Sequence, residues 1–317
     1  MRKITPKNTL ALVWLSLSLF SCASLTSYHG EDGSMVTIEE GMFRMGSNSG
    51  ELNEKQEQDV FLETFQIDLT EVPARDFADF LNAQGNPEEK YFSSDRYSTV
   101  IGVSVKGGEI VEKAENPERY MPRKGFEDYP ANNVSWFGAE AYCRWKGKRL
   151  PSEAEWEKAA RGTDARTYPW GDGSPDEKKA RYNQKWGEKG LKVMVPVNAL
   201  PEGASSYGVL NMAGNVWEWT YDWYRQNYCD FCDAASYFDT AEELVGVEKK
   251  GAGITTGEKK AEIVPRENPR GPVVGQFKVL RGGSWYEDHG EYTTRVAYRY
   301  WLEPADRYLN TGFRCAK

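Results

Sequence analysis

A chain of 317 residues with a formal charge of −8 is long enough for one large domain or two small ones. Its acids outnumber its bases and are interspersed with them, so it lacks the clustered Lys and Arg that a phosphate backbone demands, which argues against a nucleic-acid partner. Its 30 glycines, 15 prolines and 11 tryptophans favour loop structure pinned by aromatic anchors over long regular elements.

Arg2, Lys3 and Lys7 precede an apolar run from Leu10 to Phe20, which is too short to span a bilayer and reads as an export signal over residues 1–21. Leu19-Phe20-Ser21-Cys22 closes the run, and a small residue directly before a cysteine at that point resembles the lipobox of bacterial lipoproteins. The resemblance implies acylation of Cys22 and anchorage of the exported chain to the bacterial cell envelope, because two or more acyl chains hold a protein on a membrane stably. Ala23 and Ser24 lack the aspartate that retains some lipoproteins on the inner membrane, so the outer membrane is expected. The other reading is an ordinary secretory signal in which Cys22 is incidental. Residues 22–34 are small and polar and read as a tether. The domain proper is expected at 35–317, with residues 239–268, charged and weakly apolar, as an exposed insertion.

Met35 to Met45 carries apolar residues around a Gly turn and predicts a first hairpin, and Phe61 to Leu69 predicts another strand. Pro73 opens a helix whose Phe77, Phe80 and Leu81 share one face before Gly85 ends it. Residues 86–128 read as a polar, irregular surface excursion. A second helix is predicted from Trp136 to Lys146, capped by Ser135 and stopped by Gly147. Ser152-Glu153-Ala154-Glu155 is a capping box for a third, with Trp156, Ala159 and Ala160 as its buried stripe and Gly162 at its end. Beyond Thr163 no long periodic segment stands out, and Val279–Arg281 and Thr294–Trp301 are the last strand candidates.

Four cysteines follow Cys22, and an even number in an exported chain suggests disulfides. Cys229-x-x-Cys232 is flanked by Asp230 and Asp233, whose charge raises a thiol pKa; a local structural disulfide or inert pair, a redox couple and a metal site are the three readings.

Four blocks together resemble the family of the formylglycine-generating enzymes, or sulfatase-modifying factors. They are Met35–Ser47; Asn133–Arg161 with Gly147-Lys148-Arg149-Leu150-Pro151-Ser152-Glu153-Ala154-Glu155-Trp156-Glu157; Tyr207–Tyr224 with Asn211-Met212-Ala213-Gly214-Asn215-Val216-Trp217-Glu218-Trp219; and Val279–Trp285 with Gly312-Phe313-Arg314-Cys315. The resemblance covers nearly the whole chain after the tether. It implies an α+β, C-type-lectin-like single domain with little regular secondary structure, stabilised by buried aromatics, calcium and disulfides. It also implies a structural calcium ion at Asn211, Gly214, Val216 and Glu218, a site of the oxygen-rich kind calcium takes; the other reading is a turn satisfied by its own Asn and Glu. A second family calcium site is matched in part by Asn183 and the Gln184 carbonyl, with Glu188 as the nearest acid. A family disulfide falls on Cys143 and Cys315.

Active members of that family carry two cysteines shortly after the Gly-Gly-Ser-aromatic turn, where they bind copper(I). Here Gly282-Gly283-Ser284-Trp285 is followed by no cysteine until Cys315, and the two positions fall at Glu287 and within 290–292. Neither carboxylate nor phenol replaces a thiolate pair toward copper(I), so no copper and no formylglycine formation are expected. A related iron-dependent branch uses several histidines, and this chain has only His29 and His289. Ser284, Trp285, Glu287, His289, Tyr292, Arg295 and Arg299 form a candidate cleft whose charge and aromatic content suit an envelope protein or glycan ligand. The competing reading is a solvated loop with Arg295 and Arg299 in structural ion pairs. Two functions follow: a binding or scaffold lipoprotein of the envelope without catalysis, or a periplasmic oxidoreductase or maturation enzyme of the same superfamily with a different chemistry.

Overall fold

The computed structural model describes residues 34–112, 115–226, 266–286 and 289–317, with position 188 described by its backbone alone. Every element below belongs to one compact unit, Gly33–Lys317, an α+β unit of small sheets and short helices. Among the described residues, no helix is long and apolar enough to cross a membrane.

The central sheet has four strands in the order β11 (Tyr300–Leu302), β10 (Lys278–Arg281), β8 (Trp217–Trp223) and β12 (Thr311–Gly312), with β12 parallel to β8 and the other pairs antiparallel. Two outer sheets share the first half of the chain. One pairs β1 (Met35–Ile38) with β4 (Phe65–Asp68), and the other orders β2 (Gly41–Met45), β3 (Gln58–Leu62) and β9 (Arg266–Glu267). The predicted hairpin over Met35–Met45 is therefore not formed. Its two strands diverge into different sheets across Glu39 and Glu40, where the buried Lys158 ammonium donates to the carbonyls of Glu39 and Gly41. The strand predicted at Phe61–Leu69 is likewise two strands, β3 and β4, separated by Glu63 and Thr64.

Residues 86–128 are not an irregular excursion. β5 (Val100–Lys106) runs between β6 (Glu109–Glu112) and β7 (Arg119–Pro122), with Val100, Ile101 and Val103 buried. Gly107 and Gly108, with φ of 59° and 88°, make the two-residue turn between β5 and β6. Near the end of the chain, residues predicted as strand from Thr294 are extended only at β11, after a single helical turn, α4 (Gly290–Thr293).

The helices follow their local signals closely. α1 (Ala74–Gln84) buries Phe77, Phe80 and Leu81, with Pro73 in the extended N-cap position just outside the first turn and Gly85 at its end. α2 (Trp136–Trp145) starts with Ser135 Oγ accepting from Gly138 N. α3 (Glu153–Arg161) carries the full capping box, Ser152 Oγ accepting from Glu155 N and Glu155 accepting from Ser152 N. α1 and α2 pack with Trp217, Trp219 and Phe313 in one core, and α3 packs with β2, β3 and β4 in a second. Cys143 of α2 is joined to Cys315, and Phe313 to Ala316 are buried behind β8.

α3 is buried on every side, its charged residues included. Glu153 receives Arg281 and Arg299, and Glu157 receives Arg281, while Arg161 donates to the carbonyls of Arg44 and Gly46. Burial opposes ionisation of Glu153, but Arg299 and Arg281 outweigh it and hold its pKa below the usual range. A buried charge is tolerable only when paired and hydrogen-bonded, and this network meets that condition.

Candidate functional site

At the end of the central sheet that carries Trp217, a cavity of about 550 Å³ opens. Strand alternation puts Tyr298, Tyr300 and Leu302 on one side of the chain around β11, two residues apart, and all three line the cavity. Trp217, the first residue of β8, lies under them, its ring stacked on Tyr300 at 5.3 Å and 26°. The opposite wall is Trp285 with Trp186 at 5.9 Å, and Tyr97 closes on Trp186 edge to face. Tyr286 and the segment Tyr308–Thr311 complete the lining.

The turn Gly282-Gly283 brings Trp285 to this wall. Both glycines hold positive φ, 95° and 74°, and a Cβ at Gly283 would meet the Thr293 carbonyl oxygen at 2.9 Å. Only glycine fits there without moving backbone. Ser284, fully buried beside Trp285, accepts from Asn310 Nδ2 at 3.0 Å and so ties the turn to the segment before β12.

The cleft predicted from sequence is thus divided. Trp285 lines the cavity and Ser284 is buried beside it, whereas Tyr292, Arg295 and Arg299 do not line it. Arg295 is bidentate to Glu54 at 2.7 and 2.8 Å, and Arg299 is bidentate to Glu153 at 2.6 and 2.9 Å while donating to the carbonyls of Asn53 and Arg225. Both arginines make the ion pairs of the competing reading, though as buried rather than solvated groups, since the buried carboxylates of Glu54 and Glu153 need a cation. Tyr292 is half exposed, packs edge-on against Tyr298 and under Arg295, and hydrogen-bonds Glu51. His289 is exposed at the start of α4. Glu287 lies outside the described residues, as do Cys22, Cys229 and Cys232 and nearly all of the predicted insertion at 239–268.

The loop expected to hold calcium is buried beside β8. Asn211 and Asn215 both adopt left-handed backbone, φ 53° and 61°, and aim their amides at one carboxylate, Glu71, at 2.8 Å each. Glu218 accepts from Arg314 through both oxygens, at 2.6 and 2.7 Å, and from the Trp156 indole at 2.8 Å. Burial, reinforced by the charge of Glu218 and opposed by Arg314, pushes the pKa of Glu71 up to about 7. Asn211 Oδ1 is buried and has no hydrogen-bond partner among the described residues. The orphaned Asn211 oxygen suits a hard cation, whereas both oxygens of Glu218, the other expected side-chain donor, are held by the Arg314 guanidinium, whose charge opposes one. No group of three or more His, Cys, Asp or Glu among the described residues could hold a metal ion, so amide and carbonyl oxygens would have to supply most of a cation's shell here.

At the second expected calcium position, Gln184 donates to the Tyr182 carbonyl and accepts from the Lys189 ammonium at 2.7 Å, and Asn183 is exposed. The lysine engages the side-chain oxygen of Gln184, not the carbonyl expected as a ligand, and the side chain at position 188 lies outside the described residues.

Tyr97, Trp186 and Tyr308–Thr311 were missed from sequence because they reach the cavity from segments far apart in the chain. The i, i+2 spacing of Tyr298, Tyr300 and Leu302 was the one local signal available.

Residues 25–317 match the sulfatase-modifying factor enzyme 1-like domain. The chain is 34% identical over 317 residues to the formylglycine-generating enzyme of Thermomonospora curvata, covering 89% of this chain and 92% of that one. It is 33% identical over 267 residues to the mouse inactive C-alpha-formylglycine-generating enzyme 2, covering 76% and 85%. In three dimensions it is similar to PvdO from Pseudomonas aeruginosa, with a TM-score of 0.60, 23% identity, and 89% and 93% of the two chains covered.

Proposed function

The chain belongs to the sulfatase-modifying factor family, and from that premise we propose that it is a non-catalytic member: a lipid-anchored protein of the cell envelope whose aromatic cavity binds a ligand or holds a partner. One observation carries this reading. Among the described residues, the cavity beside Gly282–Trp285 is lined by aromatic rings, two leucines, Asn310 and Thr311, with no thiol, imidazole or carboxylate, and in the sequence the two thiolate positions of the resemblance, Glu287 and one within 290–292, hold no cysteine. Thiolates, imidazoles and carboxylates are the commonest nucleophiles and general bases, and copper(I) in particular selects thiolates, so their absence from this lining supports the reading. Cys315, the cysteine that follows the turn in sequence, is engaged with Cys143. The mouse relative carries the word inactive in its own name, which supports loss of catalysis within this family.

Anchorage through Cys22 rests on the basic residues, apolar run and Ser21-Cys22 junction, and outer-membrane placement rests on Ala23 and Ser24. Calcium at the Asn211 loop has a structural role in this reading. The full-length protein, loaded with copper(I) and given oxygen and a sulfatase-type cysteine peptide, is expected to form no formylglycine by mass spectrometry. Turnover above a no-enzyme control, abolished by Cys229→Ser or Cys232→Ser, would overturn the reading in favour of a maturation enzyme.

A further inference from the structure

We infer that a series of aromatic rings running past the cavity is a path for single-electron transfer, which draws an oxidising equivalent away from Trp217 and lodges it on Tyr292 at the surface. Tyr292 meets Tyr298 at 5.5 Å between ring centroids, Tyr298 meets Trp217 at 5.9 Å, Trp217 meets Tyr300 at 5.3 Å, Tyr300 meets Trp301 at 5.9 Å, and Trp301 meets Tyr224 at 4.2 Å. Trp217 lines the cavity and is buried, whereas Tyr292 is 39% exposed. Packing alone does not require this choice of rings. In the core around α1 and α2, Phe77, Phe80, Phe92 and Phe313 fill the same kind of space, but no phenylalanine occurs in the series or in the lining of the cavity. Indoles and phenols yield one electron to common oxidants and phenylalanine does not, so a single Phe would break the path.

The resting place of the charge is set by where a proton can go. A phenol that loses an electron becomes a strong acid, and it holds the vacancy only if a base takes its proton. Tyr292 donates its hydroxyl hydrogen bond to the exposed carboxylate of Glu51, so loss of an electron from the ring and of the proton to Glu51 leaves a neutral phenoxyl radical beside a neutral acid. Arg295, 4.1 Å from the ring centroid, disfavours a cationic ring and thereby favours that neutral product. At the other end Tyr224 lies under Arg299 at 5.0 Å, but its hydroxyl accepts from Asn53, and no carboxylate accepts from it among the described residues. One electron moves at each step. An oxygen-centred radical reaching the cavity takes an electron from Trp217 and leaves as its anion, as a hydroxyl radical leaves as hydroxide. Tyr292 then refills Trp217 through Tyr298. A thiol or enediol reductant at the surface returns the electron, and Glu51 returns the proton.

The test is pulse radiolysis of the full-length protein with azide radical, which oxidises tryptophan in preference to tyrosine. Tryptophan radical is expected to convert to tyrosyl at a rate independent of protein concentration, and a nitroso spin trap followed by peptide mass spectrometry is expected to place the adduct on Tyr292. Tyr298→Phe keeps a ring in place, removes one link and should abolish the adduct at Tyr292. Glu51→Gln alters no ring and should slow the transfer roughly tenfold or more, with loss of its solvent isotope effect and no change in melting temperature. A conversion rate that rises with protein concentration, or transfer that neither variant moves, overturns the inference. So do adducts that follow exposure, falling on Tyr286 at 61% and Tyr308 at 46% instead of Tyr292.

Discussion

Asp222 is a single residue whose surroundings set a pH dependence. It is buried on β8, where it accepts from the backbone N–H groups of Glu153 and Gly271, and burial together with the nearby Glu153 charge pushes its pKa up to about 6. Because the folded-state value lies above the unfolded one, the native state binds more protons between them. This contribution to stability is full at low pH and is lost as pH rises through about 6. Asp222→Asn cannot titrate, so the stability advantage of the parent over the variant in urea denaturation should grow by about 1 kcal/mol from pH 7 to pH 5. A constant difference across that range would refute the assignment. Asn211 sets a second test at this scale. If its orphaned Oδ1 faces calcium, a chelator lowers the melting temperature of the parent and Asn211→Ala removes most of that response, since a ligand bound only to the native state stabilises it by mass action. Glu218→Ala is a poorer probe, because it also strands the buried Arg314 guanidinium, which costs about 3–5 kcal/mol on its own. A metal-free protein with a chelator-insensitive melting temperature would remove calcium from the loop.

Among the elements, α3 is where local chemistry speaks most clearly. Its capping box satisfies two backbone donors at once, and Glu155 is further clamped by Arg149 at 2.6 Å through both oxygens. Ser152→Ala is expected to lower stability by about 1 kcal/mol in urea denaturation; no measurable loss would mean that tertiary packing alone holds the first turn. The starts of α2 and α3 and the end of α1 were legible in the sequence because Ser135, Ser152 and Gly85 act within one turn of themselves. Strand partnership was not legible in the same way. Met35–Ile38 and Gly41–Met45 have the composition of a hairpin, but their pairing is decided by Phe65–Asp68 and Gln58–Leu62, and by a lysine from α3 that takes up the intervening carbonyls. In β5–β6 a readable signal was present, since Gly107-Gly108 between Val- and Ile-rich runs is hairpin chemistry, and the surrounding Lys and Glu residues hid it.

For the molecule as a whole, the α+β class and the family were legible because the Asn133–Arg161, Tyr207–Tyr224 and Gly312–Cys315 blocks all lie in the folded core. Of the cavity's wall, Trp285 was legible in the sequence. The walls are drawn from positions as distant as Tyr97 and Thr311, and no local pattern encodes such a meeting. The same long reach governs the Cys143–Cys315 bond, which spans 172 residues and in the chain-entropy model contributes up to about 5 kcal/mol by restricting the unfolded ensemble. The placement of the last strand bears on biosynthesis. β12 pairs with β8, Ala316 bridges Ile67 and Arg149, and Lys317 exchanges backbone hydrogen bonds with Gln66, so residues 311–317 close the sheet and seal both cores. A ribosome delivers these residues after everything they bind. The nascent chain cannot reach its native topology while they are still in the exit tunnel, so closure of the central sheet waits on their release.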